Sequence, residues 1–158
     1  MDAPDLKPEA RYGMPAADQI LSNRHYIVGY SYHFRQAKWA IEIVDSNKSD
    51  LERADNFRPD YRVPPMFRAD LIDYVGSGYD RGHLVASANQ REVEIQNSET
   101  FLLSNMSPQK PRFNRQIWKE LEQEVRRLNN KKNIYETYVI CGPLFDFDKP
   151  VKCIGSQD

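Results

Sequence analysis

Tyr79-Asp80-Arg81-Gly82-His83-Leu84-Val85 is the run that decides how this chain is read. Gly76-Ser77-Gly78 ahead of it supplies a flexible turn, because glycine adopts backbone conformations closed to other residues. The run itself reads as a short strand with His83 near its end. Downstream, Thr100-Phe101-Leu102-Leu103-Ser104-Asn105 reads as a second strand, ended by Pro108, which cannot donate to a ladder. The clearest helix follows from about Arg115 to Asn129, where Ile117, Leu121, Val125 and Leu128 form one apolar stripe and Asn114 is the N-cap candidate. Strand, hairpin connection, strand and helix therefore bring polar residues from three neighbouring elements toward one point.

Outward from that unit, Tyr26 to Tyr32 and Lys38 to Val44 are rich in aromatic and β-branched residues. They read as two strands joined by a short polar turn. Ile134 to Cys141 is a further strand, closed by Gly142-Pro143. Residues 45 to 70 are loop-like, broken by Pro59 and Pro64-Pro65. Residues 1 to 24 are polar, carry three prolines and read as an irregular arm, which leaves 25–158 as one domain. The expected fold class is α+β, a mixed domain built on an antiparallel sheet.

The 158 residues suffice for one buried core without disulfide staples. A net charge of −1 gives no global signature of a polyanion-binding surface. Between residues 53 and 119, however, ten Lys/Arg stand against eight Asp/Glu, a balance of +2 that permits a local basic groove. No apolar run reaches the length of a membrane span. Met1-Asp2-Ala3-Pro4-Asp5 has neither the basic nor the apolar part of a signal peptide. Cys141 and Cys153 fit no zinc spacing. Cys141, in an apolar run, reads as a buried thiol, and the two could pair only if their segments form a hairpin.

The residue types at these positions suit phosphodiester hydrolysis. That reaction needs an activated water in line with the leaving oxygen and positive charge on the transition state. His83 is suited to accept the proton, with an ordinary pKa near 6.5. Gly82 beside it would let a substrate backbone come close. Asn114, Trp118, Glu122 and Arg126 are spaced by four and lie along one helix face, distinct from the apolar stripe. Asn114 can offer an amide oxygen to Mg²⁺, which keeps most of its waters. Glu122 can hold those waters, and Arg126 can reach phosphate or pair with Glu122. Arg81 and Arg53 are phosphate clamps by their bidentate geometry. Asn105 is expected to orient His83 or, equally, to form a turn before Pro108; Asp80 is expected to brace backbone or an arginine, and Tyr79, Phe101 and Trp118 to form core or site wall.

Three segments together resemble the DNA/RNA non-specific endonucleases. They are Ser77 to Leu84, Phe101 to Gln109, and Asn114 with Trp118-Lys119-Glu120-Leu121-Glu122, and the similarity runs from about residue 20 onward. Glu52-Arg53 and Phe57-Arg58-Pro59-Asp60 match the family's upstream segment. The resemblance implies a ββα-metal (His-Me finger) core that hydrolyses DNA and RNA with one Mg²⁺, or Mn²⁺. By position, His83 would be the general base, Asn114 the direct metal ligand and Glu122 its partner through water. Arg81, Arg126 and Arg53 would bind phosphate, and Asn105 would orient the site. Family analogy also implies a mitochondrial or secreted setting and a homodimer. Family members continue well beyond Cys141-Gly142-Pro143-Leu144, so the isolated chain is expected to be less stable than longer relatives and prone to associate. The non-enzymatic alternative is a module that binds nucleic acid or a partner without turnover.

Overall fold

The computed structural model describes residues 7–44 and 49–155. The opening residues 1–6 and the first part of the expected 45–70 loop, residues 45–48, lie outside them. An antiparallel four-stranded sheet forms the base, in the order β1-β2-β3-β6. Its strands are β1 (Gln19–Ser22), β2 (Tyr26–Ser31), β3 (Gln36–Ile43) and β6 (Tyr138–Cys141). A two-stranded antiparallel ribbon, β4 (Asp80–His83) with β5 (Met106–Gln109), lies against it. Two short helices, α1 (Leu71–Tyr74) and α2 (Glu94–Glu99), flank the connections. The long helix opens at residue 111, passes through a π-helical stretch at Phe113–Trp118 and continues as α3 (Lys119–Asn129).

Both faces of the sheet carry packed apolar residues at β2 and β3, whereas Ile140 on β6 is exposed. Leu21, Tyr26, Val28, Tyr30, Ala37 and Ala40 pack on Val63, Leu84 and Val85 on the side that carries the ribbon. Ile27, Trp39 and Ile41 pack with Ala10 on the other. The alternation of Tyr26, Val28 and Tyr30 against Ile27 is the period-2 signature of a pleated strand. Leu84 and Val85 continue directly from β4, so core burial on one side of His83 anchors the ribbon to the sheet.

Several expectations are corrected here. The arm is not wholly irregular: Gln19–Ser22 forms an edge strand paired with β2, and Ala10 is buried. The second strand falls later than Thr100–Asn105. Thr100 follows α2, Leu103–Asn105 is a 3-10 turn, and the strand is Met106–Gln109, with Pro108 opposite Arg81. Proline is tolerated because β5 has only one neighbour and needs no second donor there. Phe101 and Leu103 still bury completely, from a turn instead of a strand.

Asn114 is not an N-cap, because the helix is already under way at residue 111. The apolar stripe faces outward, distinct from the polar face as read. Ile117, Leu121 and Leu128 are 62%, 51% and 41% exposed, and the inward face is the one bearing Asn114, Trp118, Glu122 and Arg126. Among the described residues no helix is long and apolar enough to cross a membrane. Cys141 and Cys153 are both free thiols.

Candidate active site

β4 and β5 pair Asp80 with Gln109, Gly82 with Ser107 and His83 with Met106. A Cβ on Gly82 would lie 2.1 Å from the Gln109 side chain. The glycine therefore makes room for Gln109 across the ribbon, and not, as expected from sequence, for a substrate backbone. The turn before β4 holds Gly76 and Gly78 at φ +66° and +78°, a region other residues enter only with strain.

The His83 ring stands edge-on to two phenyl rings, Phe101 at 4.9 Å and Phe57 at 5.7 Å between centroids. These two meet because the Phe57-Arg58 segment docks on the Phe101–Leu103 turn. Arg58 N–H donates to Phe101 O at 3.2 Å, and Leu103 N–H donates to Arg58 O at 2.9 Å. Full burial of Phe101 is worth about 2–3 kcal/mol. Each phenyl also carries a guanidinium: Arg81 lies 4.0 Å over Phe57, and Arg53 lies 5.0 Å over Phe101. Ala54 N–H donates to Asn97 Oδ1 at 2.9 Å, which fixes the backbone next to Arg53. The two phenyls are thus a shared floor under one imidazole and two cations.

Burial, reinforced by Arg53 and Arg81, pushes the His83 pKa down to about 3. The imidazole is therefore neutral across physiological pH, and the same burial and cations oppose its protonation. Its Nε2 is buried and has no protein hydrogen-bond partner among the described residues.

The helix supplies the facing wall, one residue per turn. Asn114 Nδ2 donates to Asp80 Oδ2 at 3.0 Å, so the amide oxygen Oδ1 is the atom that could hold a cation. Trp118 Nε1 donates to the His83 carbonyl at 2.9 Å. Arg126 Nη1 donates to Asn89 Oδ1 at 2.9 Å. Arg115 grips Asp80 through two hydrogen bonds of 2.8 Å and, with Asn114, holds that carboxyl below its usual range. Glu122, between Trp118 and Arg126, has its pKa raised to about 7 by burial, although Arg126 and Arg53 pull the other way. Arg53 thus acts on both His83 and Glu122.

A cleft of about 350 Å³ opens beside these groups. Arg53, Arg81, Asn114, Phe57, Tyr74 and Tyr79 are among its lining residues, while His83, Glu122 and Arg126 are not. Among the described residues, the Asn105 side chain makes no hydrogen bond to the imidazole. Fully buried, it accepts from Val85 N–H at 3.0 Å and donates to Val85 O at 3.0 Å and Thr100 O at 2.9 Å. Its influence on His83 passes through the backbone that follows the histidine.

Phe57 as a support, Gln109 under Gly82 and the Glu42–Asn89 pair behind Arg126 escaped sequence reasoning. Only Glu42 left a local signal, as a charged residue inside the apolar run Trp39-Ala40-Ile41-Glu42-Ile43-Val44.

A histidine at the end of a two-stranded ribbon, faced by a helix bearing an amide and a carboxylate, defines a ββα nuclease core. The chain belongs to the DNA/RNA non-specific endonuclease family, whose model matches residues 8–157. It is 39% identical to the mitochondrial endonuclease G of Homo sapiens over 139 residues, 86% of this chain and 46% of that protein. It is 41% identical to a nuclease of Syncephalastrum racemosum over 83% of this chain and 42% of that one. The fold matches a solved EndoG/EndoGI complex with a TM-score of 0.83 at 35% identity, covering 94% of this chain and 65% of that chain. The chain spans under half the length of these curated relatives.

Proposed function

We propose that this chain carries the catalytic core of a metal-dependent, sequence-nonspecific phosphodiesterase that cleaves DNA and RNA. The observation that carries the reading is geometric: the His83 imidazole is set on the Phe57/Phe101 floor that also carries two guanidiniums, and its strand is tied to the helix bearing Asn114 and Glu122. His83 accepts a proton from the attacking water as general base. Arg81, Arg53 and Arg126 hold phosphate oxygens and spread positive charge where the transition state gathers negative charge. Asn105 keeps the backbone after His83 in place.

The donor set fits a hard cation: one amide oxygen on Asn114 and one carboxylate on Glu122, the latter acting through water, suit Mg²⁺ or Mn²⁺ that retains most of its hydration shell. When bound, such an ion supplies Lewis-acid stabilisation at the scissile phosphate. None of these side chains reads a base edge, which favours cleavage without sequence preference.

The test is cleavage of plasmid DNA and of RNA with Mg²⁺ and with excess EDTA. Cleavage of both with Mg²⁺ alone is the expected result, and undiminished cleavage in EDTA would remove the metal from the mechanism. One observation favours a second reading, a module that grips nucleic acid or a partner without turnover. The outward stripe of Ile117, Leu121 and Leu128 is uncovered and fit for another surface. Binding with no cleavage at any divalent cation would select it.

A further inference from the structure

Glu42 is a carboxylate inside the core. It sits on β3 between Tyr26 of β2 and Val139 of β6, and is 2% exposed. Both oxygens accept from side-chain amides: Asn89 Nδ2 to Oε1 at 2.7 Å and Gln90 Nε2 to Oε2 at 2.9 Å. Each amide then has its oxygen turned away. Asn89 Oδ1 accepts from Arg126 Nη1 at 2.9 Å, and Gln90 Oε1 accepts from Gln96 Nε2 at 2.6 Å. Asn89, Gln90 and Gln96 are all buried.

The direction of this chain of bonds follows from one property. An ionised carboxylate only accepts, whereas a carboxamide has one end that donates and one that accepts. Glu42 therefore draws the NH₂ ends of Asn89 and Gln90 to itself. With its amide so turned, Asn89 shows an oxygen, and not an NH₂ group, to the guanidinium of Arg126. Were Asn89 to flip, two donors would face each other and Arg126 would lose its rest. A buried carboxylate is a costly way to fill a core, and packed hydrophobic replacements are often as stable or more so. Orientation of a polar group elsewhere is what such a residue can supply and an apolar one cannot.

We propose that Glu42 is a positioning residue for Arg126, acting through Asn89 to hold the guanidinium at the nuclease site. Its effect on cleavage rests on the function proposed above, whereas its effect on the Arg126 side chain does not. Two readouts separate them, both taken at about pH 8.5, where Glu42, with its pKa raised to about 7, is ionised: ¹⁵N relaxation of Arg126 Nε–Hε in the free protein, and cleavage kinetics on a fluorogenic oligonucleotide with Mg²⁺. Glu42→Gln keeps the shape but offers one donor and one acceptor, so it cannot receive both amides. It is expected to loosen Arg126 and lower kcat about tenfold, with KM within about twofold. In an Arg126→Ala background the same change should alter kcat less than about twofold, because coupled residues lose their effect together. Asn89→Ala, which cuts the link without touching β3, should reproduce the loss and not add to it.

An unchanged Arg126 signal in folded Glu42→Gln and Asn89→Ala variants would overturn the proposal. So would a loss of rate equal in both backgrounds, the mark of a merely structural defect. Loosened Arg126 in a protein that does not cleave would uphold the positioning role and remove the nuclease reading. If Glu42→Gln does not fold, Asn89→Ala carries both readouts.

Discussion

Replacing Asn105 by alanine should unfold more of the site than its size suggests. The side chain is wholly buried and makes three hydrogen bonds, to Val85 N–H, Val85 O and Thr100 O. Alanine would leave all three backbone groups unpaired in a space closed to water, at about 1–3 kcal/mol each. Local relaxation makes such terms less than additive, so a total of about 3–5 kcal/mol is expected, well above the common effect of a point substitution. At about 2–4 °C per kcal/mol for a domain of this size, the melting temperature should fall by roughly 6–20 °C. Urea unfolding at constant m-value, with thermal melting beside it, measures this directly. Because Val85 lies two residues after His83, turnover should fall in the fraction that remains folded. A loss below about 1 kcal/mol would refute the reasoning, since it would mean that water or a rearranged backbone satisfies those groups at little cost.

His83→Ala should lower turnover by about 10²–10⁴-fold while binding of an oligonucleotide in EDTA is retained, because a general base acts on the barrier; equal losses in both would assign it to binding. The His83 ring resonances should not titrate between pH 5 and 8, since its pKa is held near 3, and a midpoint near 6.5 would contradict the burial. Asn114→Ala should raise the Mg²⁺ concentration needed for activity more than Glu122→Ala does, and the reverse order would exchange their roles. Burial raises the Glu42 pKa from 4.5 to about 7, so folding favours its protonated form and its stabilising share is lost as pH climbs from about 4.5 to 7. Relative to the wild type, Glu42→Gln should therefore gain about 3 kcal/mol across that window, and parallel stability curves would count against it.

The parts of the fold that were legible in sequence are those with a strong local period. Tyr26–Ser31 and Gln36–Ile43 carry aromatic and β-branched residues on both faces and form strands as read. The helix and the separation of its polar face from its apolar stripe are as read. Ile117, Leu121 and Leu128 look like a core stripe, but Asp80, the His83 carbonyl and Asn89 receive the polar face. Local periodicity finds a helix and cannot say which face has partners. β5 was missed because Pro108 looks like a terminator, and only the single neighbour of that strand makes proline harmless there. Asn105 was singled out, but its three bonds join residues 5 and 20 positions away, which no spacing rule encodes. The Phe57 floor was hidden for the same reason, since it depends on Arg58 docking against Phe101 and Leu103.

The phenyl floor has a consequence for how the site meets flexible polymers. A free arginine samples many rotamers and must surrender them to grip a ligand. Arg81 and Arg53, resting on Phe57 and Phe101, have given up part of that freedom at folding, before any ligand arrives. A planar cation seated on a flat ring keeps its edge N–H groups outward while its face is covered. Arg53 is further held by Asp55, whose carboxylate lies 3.6 Å from its Nε. On the proposed function, such a pair of guanidiniums would suit the phosphate that every nucleotide repeats and would ignore what hangs from the sugar.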